Sequence, residues 1–377
     1  MPEAMPYWRL SGFYFAFFTI TGALAPYWGP YLRSLGLPAA QIGVLVAILH
    51  ATKIVAPNIW GWLADRGGSR MFVVRVAAVG AMLVFPGVLL SHGFLWLAMI
   101  IAVTSFFWNA ALPQFEANTL NHLKGQDHLY SRIRLWGSVG FIASVTALGE
   151  LIDRFGVRIL PVALVVLFVV LAAASFVAPQ ARERSPSAGH AAFLHVLRDP
   201  RVLAFFLVCF LLQASHGPYY AFYSIYLGEH GYRGAVIGVL WALGVLAEIG
   251  VFLVVHRWLP RFGPRWLMTA TLALAVLRWT LVAVAPGVLV VQAAAQLLHA
   301  ATFGIYHAVG IALVNRYFVG RNQGRGQALY SSLTFGAGVA AGSLASGYLW
   351  DTVGGSGTFL AAAALAAVGT VVAARGL

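Results

Sequence analysis

The sequence predicts an all-α membrane protein of about twelve transmembrane helices in two pseudo-symmetric six-helix halves. Three observations carry this. Of the 377 residues, 60% are hydrophobic and only 9% are charged, and the mean hydropathy is +0.82. No soluble domain of this size holds so little charge. The apolar residues also fall into runs of the ~20 residues that a helix needs to cross a bilayer. Finally, one half of the chain repeats landmarks of the other.

In order, the candidate spans are 8–32, 40–63, 71–91, 94–120, 130–151 and 157–178, then 202–228, 235–256, 266–285, 287–314, 327–350 and 355–374. The longest polar connection, PQARERSPSAGHAAFLHVLRDPR, separates the sixth from the seventh. The expected organisation is an N-terminal half over 1–178, a linker over 179–201 and a C-terminal half over 202–377. The run from Arg9 to Leu32 is long enough to span and shows no small-residue cleavage site, so it reads as the first span and not a removable signal.

The formal net charge is +13, but the basic residues are scattered in ones to threes between apolar runs. That pattern fits membrane topology and not a nucleic-acid-binding face. One set of loops carries Arg66, Arg70, Lys124, Arg132, Arg182, Arg184, Arg198 and six arginines from Arg257 to Arg325. The alternate set carries Arg33, Arg154, Arg158 and Arg233. The richer set is expected in the cytosol, with both termini, in a bacterial inner membrane. The single cysteine, Cys209, excludes a disulfide within the chain and disfavours thiolate metal ligation.

The repeat is read from PYWGPYLRSLGLPAAQIGV at Pro26 and PYYAFYSIYLGEHGYRGAVIGV at Pro218. On that register Lys53 falls on Glu248, an offset of 195, and Arg66, Gly68 and Arg70 fall on Arg261, Gly263 and Arg265. Secondary transporters are often built from such repeats, with the site between them.

The most informative stretch is Pro113–Phe141, PQFEANTLNHLKGQDHLYSRIRLWGSVGF. Glu116 and Arg134 lie one to two helical turns inside the apolar edge on either side of a polar turn, hence at similar depth. Charge there is costly unless paired or facing water. The two are expected to pair with each other or to hold a ligand between them; the plain structural reading is an ion pair fastening two helices. Lys53, Glu248, Arg278 and His299 lie deeper still, each near the middle of its span. Lys53 and Glu248, equivalent in the repeat, are expected to pair across the halves. Glu248 is then a candidate protonation site, released when a bound anion competes for Lys53 or Arg278; a permanent structural pair is the alternative. His299, Thr302 and Tyr306 share one helical face. The first and seventh spans are rich in aromatics, suited to interfacial anchoring or, where they face the centre, to a flat ring. Ala25-Pro26 and Gly217-Pro218 mark expected kinks, and Pro30 extends the first.

Gly61–Arg70, GWLADRGGSR, resembles the loop between the second and third helices of the major facilitator superfamily. The resemblance rests on Gly61, Leu63, Ala64, Asp65, Arg66, Gly68 and Arg70, and it implies the major facilitator fold with a cytosolic gate motif at Gly61, Asp65, Arg66 and Arg70. Glu116, the run Arg132-Ile-Arg134-Leu-Trp-Gly137-Ser-Val-Gly140-Phe141 and the run Leu298 to His307 resemble the lactose permease and phenylpropionate permease branch. That resemblance implies substrate contacts at Glu116 and Arg134, which are 18 residues apart, ring stacking at Phe141, a buried arginine at Arg278 and a coupling histidine at His299. Lys53 joins the substrate-binding candidates and His307 the proton-coupling ones. The acid expected one turn beyond the histidine is Thr302 here, so that element of proton coupling does not carry over.

The sequence holds no phosphate-binding glycine-lysine loop, which argues against an ATP-driven pump, and no acid, histidine or nucleophile constellation of an enzyme. The function expected is secondary active, proton-coupled symport of a small organic solute, with an aromatic carboxylate favoured. Sugar or nucleoside symport, drug efflux and a non-transporting receptor are the alternatives. The expected partners are the small-molecule substrate, protons and the lipid bilayer, with no cofactor, no metal, no nucleic acid and a monomeric state.

Overall fold

The computed structural model describes residues 5–67, 69–123, 126, 128–181 and 193–377. Lys124, Arg182, Arg184 and Gly68 lie outside them, as do the side chains of His128 and Arg321. In a bilayer every backbone N–H and C=O must be satisfied within the protein, and uninterrupted apolar runs meet that demand as helices.

The first six helices are α1 (Tyr7–Ser34), α2 (Ala39–Gly67), α3 (Arg70–Val84, continued by a 3-10 turn to Leu89), α4 (Phe94–Leu123), α5 (His128–Phe155) and α6 (Leu160–Val177). The second six are α7 (Pro200–Glu229), α8 (Gly234–Phe262), α9 (Pro264–Val284), α10 (Leu289–Tyr317), α11 (323–353) and α12 (355–376). Among the described residues ten segments are long and apolar enough to cross a membrane. One of them, Gln323–Gly376, is 54 residues long and turns at Gly354, where φ is 69° and ψ −178°, so it supplies both α11 and α12. The 28-residue α1 is diluted by tyrosines and small polar residues, yet it packs between α5, α6 and α7 as the twelfth.

Within the first half α1 packs on α5 and α6, and α3 on α4 and α6; within the second, α9 packs on α12 and α7 on α11. The halves meet along α2–α11, α5–α8 and α1–α7. Their bonds cluster at the face away from the termini. Tyr27 donates to the Gly234 carbonyl at 3.3 Å, and the Asp153 carboxylate accepts from the N–H groups of Gly234 (2.7 Å) and Ala235 (2.9 Å). Arg33 lies 3.7 Å from Glu229 there. Nearer the termini, the Glu116 and Arg134 side chains are each about one-third exposed. The halves are bonded to each other at the far face. A cleft of about 440 Å³ indents the sealed face between α1, α5, α7 and α8, away from the ionisable residues of the centre.

The expected kinks divide. The helix α7 breaks at His216, between Pro200–Ser215 and Gly217–Glu229. A Cβ on Gly217 would lie 2.0 Å from the Gly342 carbonyl carbon, so only glycine lets α7 press this closely on α11. Pro218 then opens a new helix, where its missing N–H costs nothing. In contrast, α1 runs unbroken through Pro26 and Pro30. Two π-helical turns, Ala300–Ile305 in α10 and Ser332–Gly338 in α11, face each other through Phe303 and Phe335, whose rings are 5.9 Å apart. Such turns widen a helix and concentrate at functional sites.

Candidate functional site

On the first half, Glu116 of α4 and Arg134 of α5 come together, with Arg134 Nε 3.7 Å from Glu116 Oε1. Tyr130 donates to the same carboxylate oxygen at 3.3 Å. The guanidinium lies over the Phe18 ring at 3.9 Å and near Tyr14 at 5.6 Å. A Cβ at Gly137 would sit 2.7 Å from Arg134 Nη1, so glycine one turn away makes room for this fold-over. The guanidinium is thus held by ring faces and one long ionic contact, and its fork is not closed on the carboxylate. Phe141, two turns further along α5, is buried at 8% exposure, with its backbone against Gly22 of α1.

The second half holds a denser network around Arg278 of α9, which is 0% exposed. Its Nη1 donates to Thr302 Oγ1 (2.9 Å), His299 Nδ1 (3.0 Å) and, more weakly, His216 Nε2 (3.4 Å). Its Nη2 donates to Gln296 Oε1 at 3.4 Å, which also accepts from Tyr219 at 3.1 Å. The rings of Tyr219 and Trp279 flank the guanidinium, each 4.5 Å from its carbon. An arginine offers only donors, so His299 Nδ1 is an acceptor and the neutral ring carries its hydrogen on Nε2. That nitrogen points at Glu248, 3.8 Å away. Arg278, His299 and Glu248 therefore form a line from buried cation to carboxylate through one imidazole, the residue type best able to change charge near neutral pH. Gly304 on the π-turn of α10 packs against Glu248, which brings α8 this close.

Lys53 departs from the expectation. It meets His50 Nδ1 on its own helix at 3.4 Å and makes no ion pair with Glu248 among the described residues. The reason is the pseudo-symmetry itself. It relates α2 to α8, but α2 packs on α11 and α8 on α5, so equivalent positions lie on opposite flanks of the interface. His50 in turn faces Tyr220 of α7, 5.6 Å between rings. His307 does not touch Glu248. It stacks beyond Phe303 in a ladder with His299, at 5.3 Å and then 6.3 Å.

The gate motif closes within its own half. Arg70 donates to Asp65 Oδ1 (2.8 Å) and Gln114 Oε1 (2.7 Å), Arg66 lies over Trp62, and Gly61 sits beside Gln114. All of these contacts lie within α2, α3 and α4 of the first half.

Sequence reasoning missed His216, Gln296 and His50, and it placed Tyr219 only among the aromatics of the seventh span. His216 carried a signal, a lone histidine in an apolar run immediately before Gly217-Pro218. Gln296 carried another, three residues before His299.

A family model, the MFS_1 like family, matches residues 7–361. The probable 3-phenylpropionic acid transporter of Escherichia coli (strain K12) is 29% identical over 92% of this chain and 92% of its own. The maltose permease of Geobacillus stearothermophilus is 26% identical over 90% and 86%. The crystal structure of a mutant of the nucleoside transporter NupG superposes with a TM-score of 0.88, at 16% identity, over 98% of this chain and 99% of that one. This last likeness establishes the fold.

Proposed function

The chain belongs to the MFS_1 like family, and we propose that it is a proton-coupled symporter of a small ring-bearing organic solute working by alternating access. The termini and the 179–201 connection face the cytosol, in a bacterial inner membrane. The solute sits between the Glu116–Arg134 pair and the Arg278–His299–Glu248 line, and the proton is carried by Glu248 with His299.

The observation that carries the choice of substrate is a charge imbalance. Among the described residues of this site, three cations, Lys53, Arg134 and Arg278, stand against two carboxylates, Glu116 and Glu248, which leaves one positive charge uncompensated. Excess charge in a bilayer is costly and is relieved by a bound counter-ion. The favoured solute is therefore a monoanion, an aromatic carboxylate held by the Arg134 fork and its flanking rings. The relative named for 3-phenylpropionic acid supports this reading. A second reading is a neutral hydroxylated ring, a sugar or nucleoside. The Glu116–Arg134 pair offers acceptor and donor together, as hydroxyls require, and two of the three proteins compared carry a sugar or a nucleoside in their names. By count of names the comparisons lean to this second reading; the charge balance leans to the first.

The test is ligand-dependent thermal stabilisation of the purified protein with 3-phenylpropionate, maltose and uridine as probes. The carboxylate reading expects a shift with 3-phenylpropionate alone. A shift with maltose or uridine alone replaces it with the second reading.

A further inference from the structure

We propose that His216, at the break in α7, is a positioning residue that ties the proton site to the sealed face between the halves. The inference rests on the reading of Glu248 and His299 as that site.

Arg278 Nη1 carries two hydrogens and faces three acceptors: Thr302 Oγ1, His299 Nδ1 and His216 Nε2, at 2.9, 3.0 and 3.4 Å. His216 Nδ1 lies 2.8 Å from the Leu212 carbonyl, which only accepts, so Nδ1 holds the hydrogen and Nε2 is left as an acceptor. His216 is the longest of the three contacts and is held in reserve. An imidazolium has hydrogens on both nitrogens and accepts from nothing. When His299 gains a proton it takes it on Nδ1, since Nε2 already holds a hydrogen, and its bond to Arg278 is replaced by repulsion between two cations. The Nη1 hydrogens then turn to His216.

His216 is a lever because of where it stands. It is fully buried and joins the two segments of α7. Gly217 beside it is pressed on Gly342 of α11. The second segment runs to Glu229, whose contact with Arg33 belongs to the sealed face. The groups facing His216 are Arg278 and Trp279 from α9, His299 from α10 (rings 6.5 Å apart) and Tyr220 from its own helix. Ser343 of α11 faces the Gly217 carbonyl at 3.5 Å, and His50 and Lys53 of α2 reach this region only through Tyr220. Among the described residues no carboxylate touches His216; Glu248 reaches it through His299 and Arg278. Charge therefore passes to the break by one route.

The experiment needs no substrate. In a Cys209→Ser background, Ile237→Cys lines the sealed-face cleft and Ser91→Cys is exposed on the same face. An impermeant maleimide is applied to that face of the reconstituted full chain from pH 5 to pH 9, and the Ile237→Cys rate is divided by the Ser91→Cys rate. The ratio is expected to change at least fivefold with pH in the parent and to stay within twofold in His216→Phe. His216→Gln, which keeps an acceptor oxygen, is expected to restore the change. A His216→Phe protein that titrates with the parent's midpoint and amplitude overturns the proposal, and His216→Leu takes its place if the phenylalanine variant fails to fold. Glu248→Gln separates the two ideas. If it titrates like the parent, or if the parent ratio is flat, the proton-site reading fails and takes the inference with it. If Glu248→Gln is flat while His216→Phe is parental, only the role of His216 fails.

Discussion

Arg278 Nη1 lies 3.0 Å from His299 Nδ1, on the opposite side of the imidazole from Glu248. The buried cation thus reaches its carboxylate through a ring that can itself take a proton. Among the described residues no carboxylate lies within ion-pair distance of Arg278, and its contacts are neutral acceptors and ring faces.

Such a hub is expensive to remove, because the groups around it are left without their donor. Arg278→Met should lower stability by about 3 kcal/mol, about 1 kcal/mol for each of the buried acceptors Thr302, His299 and Gln296 left without its donor. Thr302→Val, which removes a single acceptor, should cost about 1 kcal/mol. Thermal unfolding midpoints of the two purified variants check this. Equal losses would mean that Arg278 is not the centre of the network.

The sealed face has its own latch. Asp153 of α5 caps the first N–H groups of α8 across the interface, with Arg233 3.6 Å away. Losing an N-cap carboxylate costs about 1 kcal/mol, a factor of about five in a two-state balance. Asp153→Ala should therefore speed labelling of Ile237→Cys from that face about fivefold. An unchanged rate would show that the cap does not help to hold the face shut.

Much of this architecture is legible in the sequence, and the reasons are physical. Span length and hydropathy are imposed by the bilayer, so the helices fall within a few residues of the apolar runs; the Gly217-Pro218 break is written in backbone chemistry. The Glu116–Arg134 pairing is readable because a short turn forces neighbouring helices to share depth. The Lys53–Glu248 pairing fails because a repeat gives equivalence and not adjacency. His216 and Gln296 escaped notice because their roles depend on α9 lying against α7 and α10, a tertiary fact with no periodic trace along the chain.

Orientation is open to direct labelling. With Cys209 replaced by serine, an impermeant maleimide applied outside intact cells should modify Ser91→Cys and spare Gln126→Cys. The reverse pattern would invert the assignment drawn from the arginine-rich loops.

Arg134 and Glu116 distinguish the two classes of solute. If the ligand is a carboxylate, Glu116→Gln removes a competitor for the guanidinium and should bind an aryl carboxylate at least as tightly. Arg134→Lys should bind it tenfold or more weakly, ~1.4 kcal/mol, since an ammonium cannot reproduce the planar fork. For a hydroxylated ring, both substitutions should weaken binding alike. Calorimetry on the two purified variants reads the difference, and no change in either would make the pair a structural clamp.

The central claim is that Glu248 carries the coupled proton, and it is tested most directly by comparing uphill uptake with exchange in Glu248→Gln. The amide mimics the protonated acid, so the solute-loaded carrier can still change its open face while no proton is gained or lost. In proteoliposomes the variant should exchange preloaded solute at a rate near the parent's, yet accumulate none against its gradient under an imposed pH difference. Uphill accumulation at the parent's level would remove Glu248 from the mechanism.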